Sequence, residues 1–241
     1  MIRTIIAKAC ALALVAGGAG HDAGRRGMGR SGRLNRMVPW TLLLLIGLAA
    51  PAVDGAPAAP ALQGKFEELN EPSTHTPGKV KMTEFADFYC PHCHRFEQEG
   101  LPVLEKEFGK RLEVTMVGFP VIRGKLPTAF EMYEQARAMG KGPEMRRALF
   151  RSIHRDRVEV FDRLIRESII KEVGLDVAKF EAGLKSGKPT QALELGKAWG
   201  EAVKVQQTPT ILLDGHIKVE DINPENLKVI IRSILDADAK K

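Results

Sequence analysis

The chain has 241 residues, 44% hydrophobic and 27% charged, which is enough apolar material for one core plus an insertion. Its formal charge of +6 sits at one end: residues 1–56 carry seven basic side chains against two acidic ones, and the rest carries 29 against 28. That distribution excludes a nucleic-acid surface on the remainder, and a total of three cysteines, Cys10, Cys90 and Cys93, excludes a disulfide framework.

The basic end reads as targeting. Arginines between Arg25 and Arg36 precede an apolar run at 38–50 and a small-residue stretch at 51–61, the order of a secretory signal. The run is shorter than the ~18–20 residues that span a bilayer comfortably, so cleavage within 50–59 is expected over a permanent anchor. Residues 1–27 hold a second, weaker apolar stretch, and an ordinary signal would begin at Met28 or Met37. The true start is therefore expected downstream of Met1. The leader is taken as 1–56; with it goes Cys10, leaving one cysteine pair. Residues 57–78, rich in Pro, Ala and Gly, read as a linker in which Phe66-Glu67-Glu68-Leu69 pairs at a sheet edge.

Residues 80–89 read as a strand. A helix follows from Cys90, interrupted near Gly100-Leu101-Pro102 and ending at Gly109. Residues 111–117 alternate and are rich in β-branched side chains, so a strand–helix–strand unit with parallel pairing is expected. From 127 to 205 the spacing turns helical. Ala129, Phe130, Tyr133, Ala136 and Met139 share one face, and Pro143-Glu144 opens a segment with Leu149 and Phe150. Val160, Phe161, Leu164, Ile165, Ile169 and Val173 stripe a longer helix that stops at Gly174. Asp176 is the N-cap of the next, and Pro189 or Thr190 starts another. The basic residues within 146–166 read as the wet side of these helices. Two short strands, 209–213 and 216–219, flank an Asp214-Gly215 hairpin turn, and Asn223 caps a last helix with Leu227, Ile230, Ile231, Ile234 and Leu235 on its face. This order is α/β and resembles a thioredoxin-like fold, at 79–126 and 206–241, with an inserted helical domain at 127–205.

The chemistry centres on Cys90-Pro91-His92-Cys93. A Cys-X-X-Cys pair at a strand-to-helix junction puts a thiol at a helix N-terminus, where the macrodipole stabilises its thiolate. A purely structural disulfide here would be a poor staple, because a two-residue loop restrains little chain. His94 makes Cys-X-X-Cys-His, the attachment pattern of c-type haem, which stands as an alternative, and a metal chaperone would use the same cluster. Asp87 reads as solvated, and His21, His75, His154 and His216 as isolated surface or turn residues.

Residues 83–97, with the aromatic Tyr89 before Cys-Pro-His-Cys and Arg95-Phe96-Glu97 after it, are similar to the active-site segment of the DsbA family of exported thiol oxidases. Thr208-Pro209-Thr210, ahead of an apolar strand, matches the place of the cis-proline in thioredoxin-like proteins. The resemblance covers about residues 64–239. It implies that Cys90 is the exposed nucleophile, that Cys93 resolves mixed disulfides, and that the two close a redox-active Cys90–Cys93 disulfide. His92 would stabilise the Cys90 thiolate and Pro91 stiffen the loop. Pro209 would be cis and face the disulfide, with Thr208 offering its backbone to a substrate strand. Glu84 would be a buried acid exchanging protons with Cys93; the alternative is an ordinary strand acid paired with Lys81. The family expectation is a strong oxidant, about −120 mV in DsbA itself against about −270 mV in thioredoxin. Thr208 departs from the apolar residue of the best-known oxidases and also occurs in isomerases and reductases, so the direction of exchange stays open. The resemblance implies no cofactor and no metal. It implies a periplasmic location, unfolded exported proteins as substrates, and a membrane quinone-linked partner for reoxidation.

Overall fold

The computed structural model describes residues 61–239; the leader, its cleavage region, the alternative starts and Cys10 lie outside the described residues. β1, Phe66–Glu68, is a short edge strand, and β2, Val80–Ala86, is an interior strand and mostly buried. β2 ends three residues earlier than the sequence suggested because Asp87 turns the chain. Its carboxylate accepts from the Tyr89 N–H (2.8 Å) and its carbonyl from the Cys90 N–H (3.0 Å), which takes both groups out of the ladder. α1, Pro91–Arg95, runs through a π-helical turn, Phe96–Gly100, into α2, Leu101–Phe108. Pro102 lacks an N–H, and its ring would crowd the carbonyl four residues back. The wider turn absorbs both defects, so the expected break is a bulge in a continuous helix. β3, Leu112–Gly118, then pairs with β2 in parallel, from Val80 against Leu112 to Ala86 against Gly118.

Five helices follow: α3, Thr128–Ala138; α4, Gly142–Phe150; α5, Arg163–Glu172; α6, Val177–Lys185; and α7, Lys188–Ala202. A second π-helical turn, Arg151–Arg155, prolongs α4. The stripe expected from Val160 becomes helical only at Arg163, because Asp162 is the N-cap and accepts from the N–H groups of Leu164 and Ile165. Asp176 caps α6 as its sequence position implied. β4, Thr210–Leu213, and β5, Ile217–Val219, form the hairpin, with Asp214 (φ 47°) and Gly215 (φ 82°) in the left-handed conformations such a turn requires. α8, Pro224–Asp238, starts at the Asn223 cap. The sheet order is β1-β5-β4-β2-β3.

The apolar interior has two main parts. One, between the sheet and α2 and α8, contains Val80, Met82, Phe96, Leu104, Ile211 and Ile231. The other joins the end of β2 to the helices that follow β3, and it contains Cys90 and Cys93 together with Phe88, Phe130, Tyr133 and Phe150. Phe88 is its hub, with ring centroids 5.5 Å from Phe130, 5.8 Å from Tyr133 and 5.0 Å from Phe150. Burial of a side chain of this size contributes roughly 1.5–3 kcal/mol. The cysteines thus lie inside a packed cluster. Among the described residues no helix is long and apolar enough to cross a membrane.

The stretch read as a linker is strapped down from residue 63 onward. Gln63 and Lys65 donate their N–H groups to Ser233 and Asn226 of α8, and Thr74 donates to the Asp214 carbonyl. His75, expected to be an isolated turn residue, is the clasp. Its Nδ1 lies 2.8 Å from Asp214 Oδ2 and its Nε2 2.8 Å from Asp238 Oδ1. Carboxylates only accept, so donation from both nitrogens requires the imidazolium. Burial lowers the His75 pKa, but hydrogen bonds to Asp238 and Asp214 more than offset it, and the net shift is upward. A raised folded pKa means the stabilisation is complete below the unfolded value of about 6.5 and is lost as pH rises through the folded one. His75→Ala is therefore expected to cost about 1 kcal/mol near pH 5, the size of a part-exposed charge-assisted contact, and much less at pH 9. Urea titrations at the two pH values measure this, and an equal loss at both contradicts the imidazolium bridge.

Candidate active site

Cys90 is the N-cap of α1, with extended backbone (φ −82°, ψ 120°), and Pro91 fills the first turn, where its missing N–H costs nothing. The Cys90 thiol lies 3.4 Å from the Thr208 carbonyl, to which it donates. The Thr208–Pro209 peptide is cis. The cis peptide thus presents backbone directly to the Cys90 sulfur. Both cysteines are free thiols in this structure. Cys90, expected to be exposed, is 6% accessible, and Cys93, one turn inward, is fully buried. The reason is the cluster around Phe88, which closes over the first turn of α1. Burial pushes the Cys93 thiol far above its usual range. The Asp87 backbone and the Thr208 hydroxyl pull it down, and the Glu84 and Cys90 charges push it up. His92 is exposed and lines, with Thr208, Pro209 and Lys204, a groove of about 510 Å³ beside the cis peptide.

Glu84 is fully buried on β2, paired with Met116 on one side and Ile211 on the other. Lys81 is not its partner, since the Lys81 ammonium donates to the Thr74 carbonyl. Its counter-ion is Arg146 of α4, 3.9 Å away, which also lies 2.9 Å from Glu97 but off the line of a hydrogen bond. Neither Glu84 oxygen has a hydrogen-bond partner among the described residues. Burial raises the Glu84 pKa to about 7; Arg146 opposes the rise and Glu97 adds to it. One guanidinium thus serves two buried carboxylates, and Glu84 gains and loses its proton near neutral pH.

The structure differs from the sequence expectation at Arg146, Asp87 and His154. Arg146, read as part of a wet helical face, is 5% exposed. It stands four residues before Phe150 and next to Met145, on the buried side of α4, and that spacing was the available signal. Asp87, read as solvated, is buried. One of its carboxylate oxygens accepts from the Val121 and Ile122 N–H groups at 2.7 and 2.8 Å, tying the loop after β3 to the residues before Cys90. His154, read as isolated, bonds the Phe88 carbonyl and stacks on His94. His94 Nε2, the atom a haem iron would need, is buried in that packing.

A thioredoxin-like sheet carrying a Cys-X-X-Cys turn against a cis-proline defines a thiol–disulfide oxidoreductase. The family model described as Thioredoxin matches residues 75–233, more than half of the chain, and the chain belongs to that family. It is 28% identical over 187 residues to the Thiol:disulfide interchange protein DsbA of Burkholderia cepacia, a match spanning 74% of this chain and 84% of that one. Among solved structures it resembles the oxidoreductase DsbA of Xylella fastidiosa, with a TM-score of 0.60 at 20% identity over 76% of this chain and 100% of the other. It also resembles a Proteus mirabilis DsbA solved with a non-covalently bound peptide, with a TM-score of 0.56 at 18% identity over 76% and 98%. The protein is a DsbA-like protein-disulfide oxidoreductase of the thioredoxin superfamily.

Proposed function

We propose that this chain is an exported, periplasmic oxidase that introduces disulfides into unfolded secreted proteins. The observation that carries the reading is the asymmetry of the pair. The Cys90 sulfur sits at a helix N-terminus against the Thr208 carbonyl, beside the groove, whereas Cys93 is sealed and its thiolate strongly disfavoured. In the oxidised form a substrate thiolate attacks Cys90 Sγ. A substrate–Cys90 bond forms, the Cys90–Cys93 bond breaks, and the electron pair leaves on Cys93. Glu84, with a pKa near 7, supplies the proton that Cys93 takes up. A second substrate thiolate then attacks the substrate sulfur of the mixed disulfide and expels Cys90. The substrate leaves as a disulfide, two electrons poorer, and the chain remains as the dithiol. His92, exposed in the first turn, stabilises the departing Cys90 thiolate. Pro91 keeps that turn rigid, and the Thr208 backbone beside cis Pro209 aligns the substrate as an added strand. Proteus mirabilis DsbA binds a peptide non-covalently, which supports a peptide ligand here. A membrane quinone-linked partner takes the two electrons back.

A disulfide isomerase or reductase is the second reading, favoured by Thr208, which stands before the cis Pro209 in place of the apolar residue of the best-known oxidases. Equilibration of residues 57–241 with the glutathione couple separates the two. A potential near about −120 mV is expected, and one well below about −200 mV makes the chain a reductase.

A further inference from the structure

The carbonyls around the junction of β2 and α1 take their hydrogens mostly from backbone N–H groups. The Ala86 carbonyl accepts from Phe119, the Asp87 carbonyl from Cys90, and the Cys90 carbonyl from His94. The Phe88 carbonyl is different. Its donor is the side chain of His154, 66 residues on in the π-helical turn after α4, at 2.8 Å. A carbonyl only accepts, so Nε2 of His154 carries the hydrogen. The same imidazole lies flat on His94, the residue after Cys93, with centroids 4.4 Å apart and planes 5° from parallel. Phe150 flanks both rings at 6.3 and 6.2 Å. One side chain therefore touches the polypeptide two residues before Cys90 and one residue after Cys93.

We propose that His154 is a positioning residue for thiol exchange through its hydrogen bond: its Nε2–H fixes the Phe88–Tyr89 peptide plane, and with it the place of the Cys90 sulfur at the N-terminus of α1, while the stack on His94 only seats the ring. The proposal rests on the exchange activity and adds to it a residue outside the Cys-X-X-Cys segment. Burial and the facing His154 ring hold His94 below its ordinary pKa, which keeps the His94 face of the stack neutral. The stack then attracts, where two cations would repel.

Two variants separate the bond from the stack. His154→Phe keeps a flat ring and removes the donor; His154→Gln keeps a donor and removes the ring. In the wild type and both variants, the rate of mixed-disulfide formation with glutathione disulfide and the dithiol–disulfide equilibrium constant are measured beside the urea midpoint. His154→Phe is expected to slow exchange about fivefold, the factor one neutral hydrogen bond is worth, and to shift the equilibrium constant, while His154→Gln stays within about twofold of the wild type. The proposal is overturned if His154→Phe alters only the urea midpoint, if both variants slow equally, or if neither changes rate or equilibrium. An inert wild type would instead bring down the exchange activity itself. If His154→Phe does not fold, a His154→Gln protein with fivefold slower exchange at an unchanged midpoint overturns the proposal, and one with near-wild-type exchange supports it.

Discussion

Arg146→Met is expected to destabilise the protein by about 3–5 kcal/mol at pH 8, the usual cost of removing one partner from a buried ion pair. The size follows from what would remain. Among the described residues Glu84 is fully buried with no hydrogen-bond partner, Glu97 is nearly buried, and Arg146 is the cation in contact with both. Methionine fills a similar volume, so the loss is electrostatic rather than a cavity. The sign with pH is fixed by the Glu84 pKa of about 7, raised from an ordinary carboxylate value. A group whose folded pKa is raised favours the folded state fully below the unfolded value and loses that benefit as pH rises through the folded one. Without Arg146 the Glu84 pKa moves higher still, so the penalty grows from pH 5 to pH 8. Urea unfolding across that range checks it, and a loss independent of pH would mean that Arg146 acts by packing. If the single variant does not fold, the Arg146→Met, Glu84→Gln double variant is expected to recover much of the loss at pH 8, because it leaves one buried carboxylate in place of two.

Cys90→Ser is expected to abolish exchange, and Cys93→Ser to trap it. With Cys90 gone, the remaining sulfur is wholly buried and its thiolate strongly disfavoured, so no substrate disulfide can be reached. With Cys93 gone, Cys90 still sits at the helix N-terminus against the Thr208 carbonyl and still attacks a disulfide. Among the described residues no other thiol then remains to expel the partner, and mixed disulfides accumulate. Acid quenching, thiol labelling and non-reducing gels read both outcomes. Residual oxidase activity in Cys90→Ser, or covalent partners attached through Cys93, would refute the assignment.

Features set by neighbouring residues were legible in the sequence. The Asp176 and Asn223 caps, the Asp214-Gly215 turn and the strand-to-helix position of Cys90 each depend on a few adjacent side chains, and each lies where its local chemistry put it. The features that were missed are pairings across the chain. His75 meets Asp214 at a separation of 139 residues and His154 meets Phe88 at 66, and no spacing rule announces such partners. Asp87 hides its role from the sequence for a related reason. A carboxylate looks solvated until the backbone donors that surround it are known, and its donors at Val121 and Ile122 lie on the far side of β3.

The two sulfurs share one apolar cluster with Phe130, Tyr133 and Phe150. Folding and disulfide closure are therefore two edges of one thermodynamic cycle. Any change that stabilises the folded dithiol more than the folded disulfide must appear as a more oxidising potential, at ~30 mV for each 1.4 kcal/mol. Leu149→Ala, in the same cluster, leaves the potential alone if it weakens both forms equally and shifts it if it does not. The helices around the cysteines are in this sense part of the electrode, and any packing they offer one redox form over the other enters the potential of the pair.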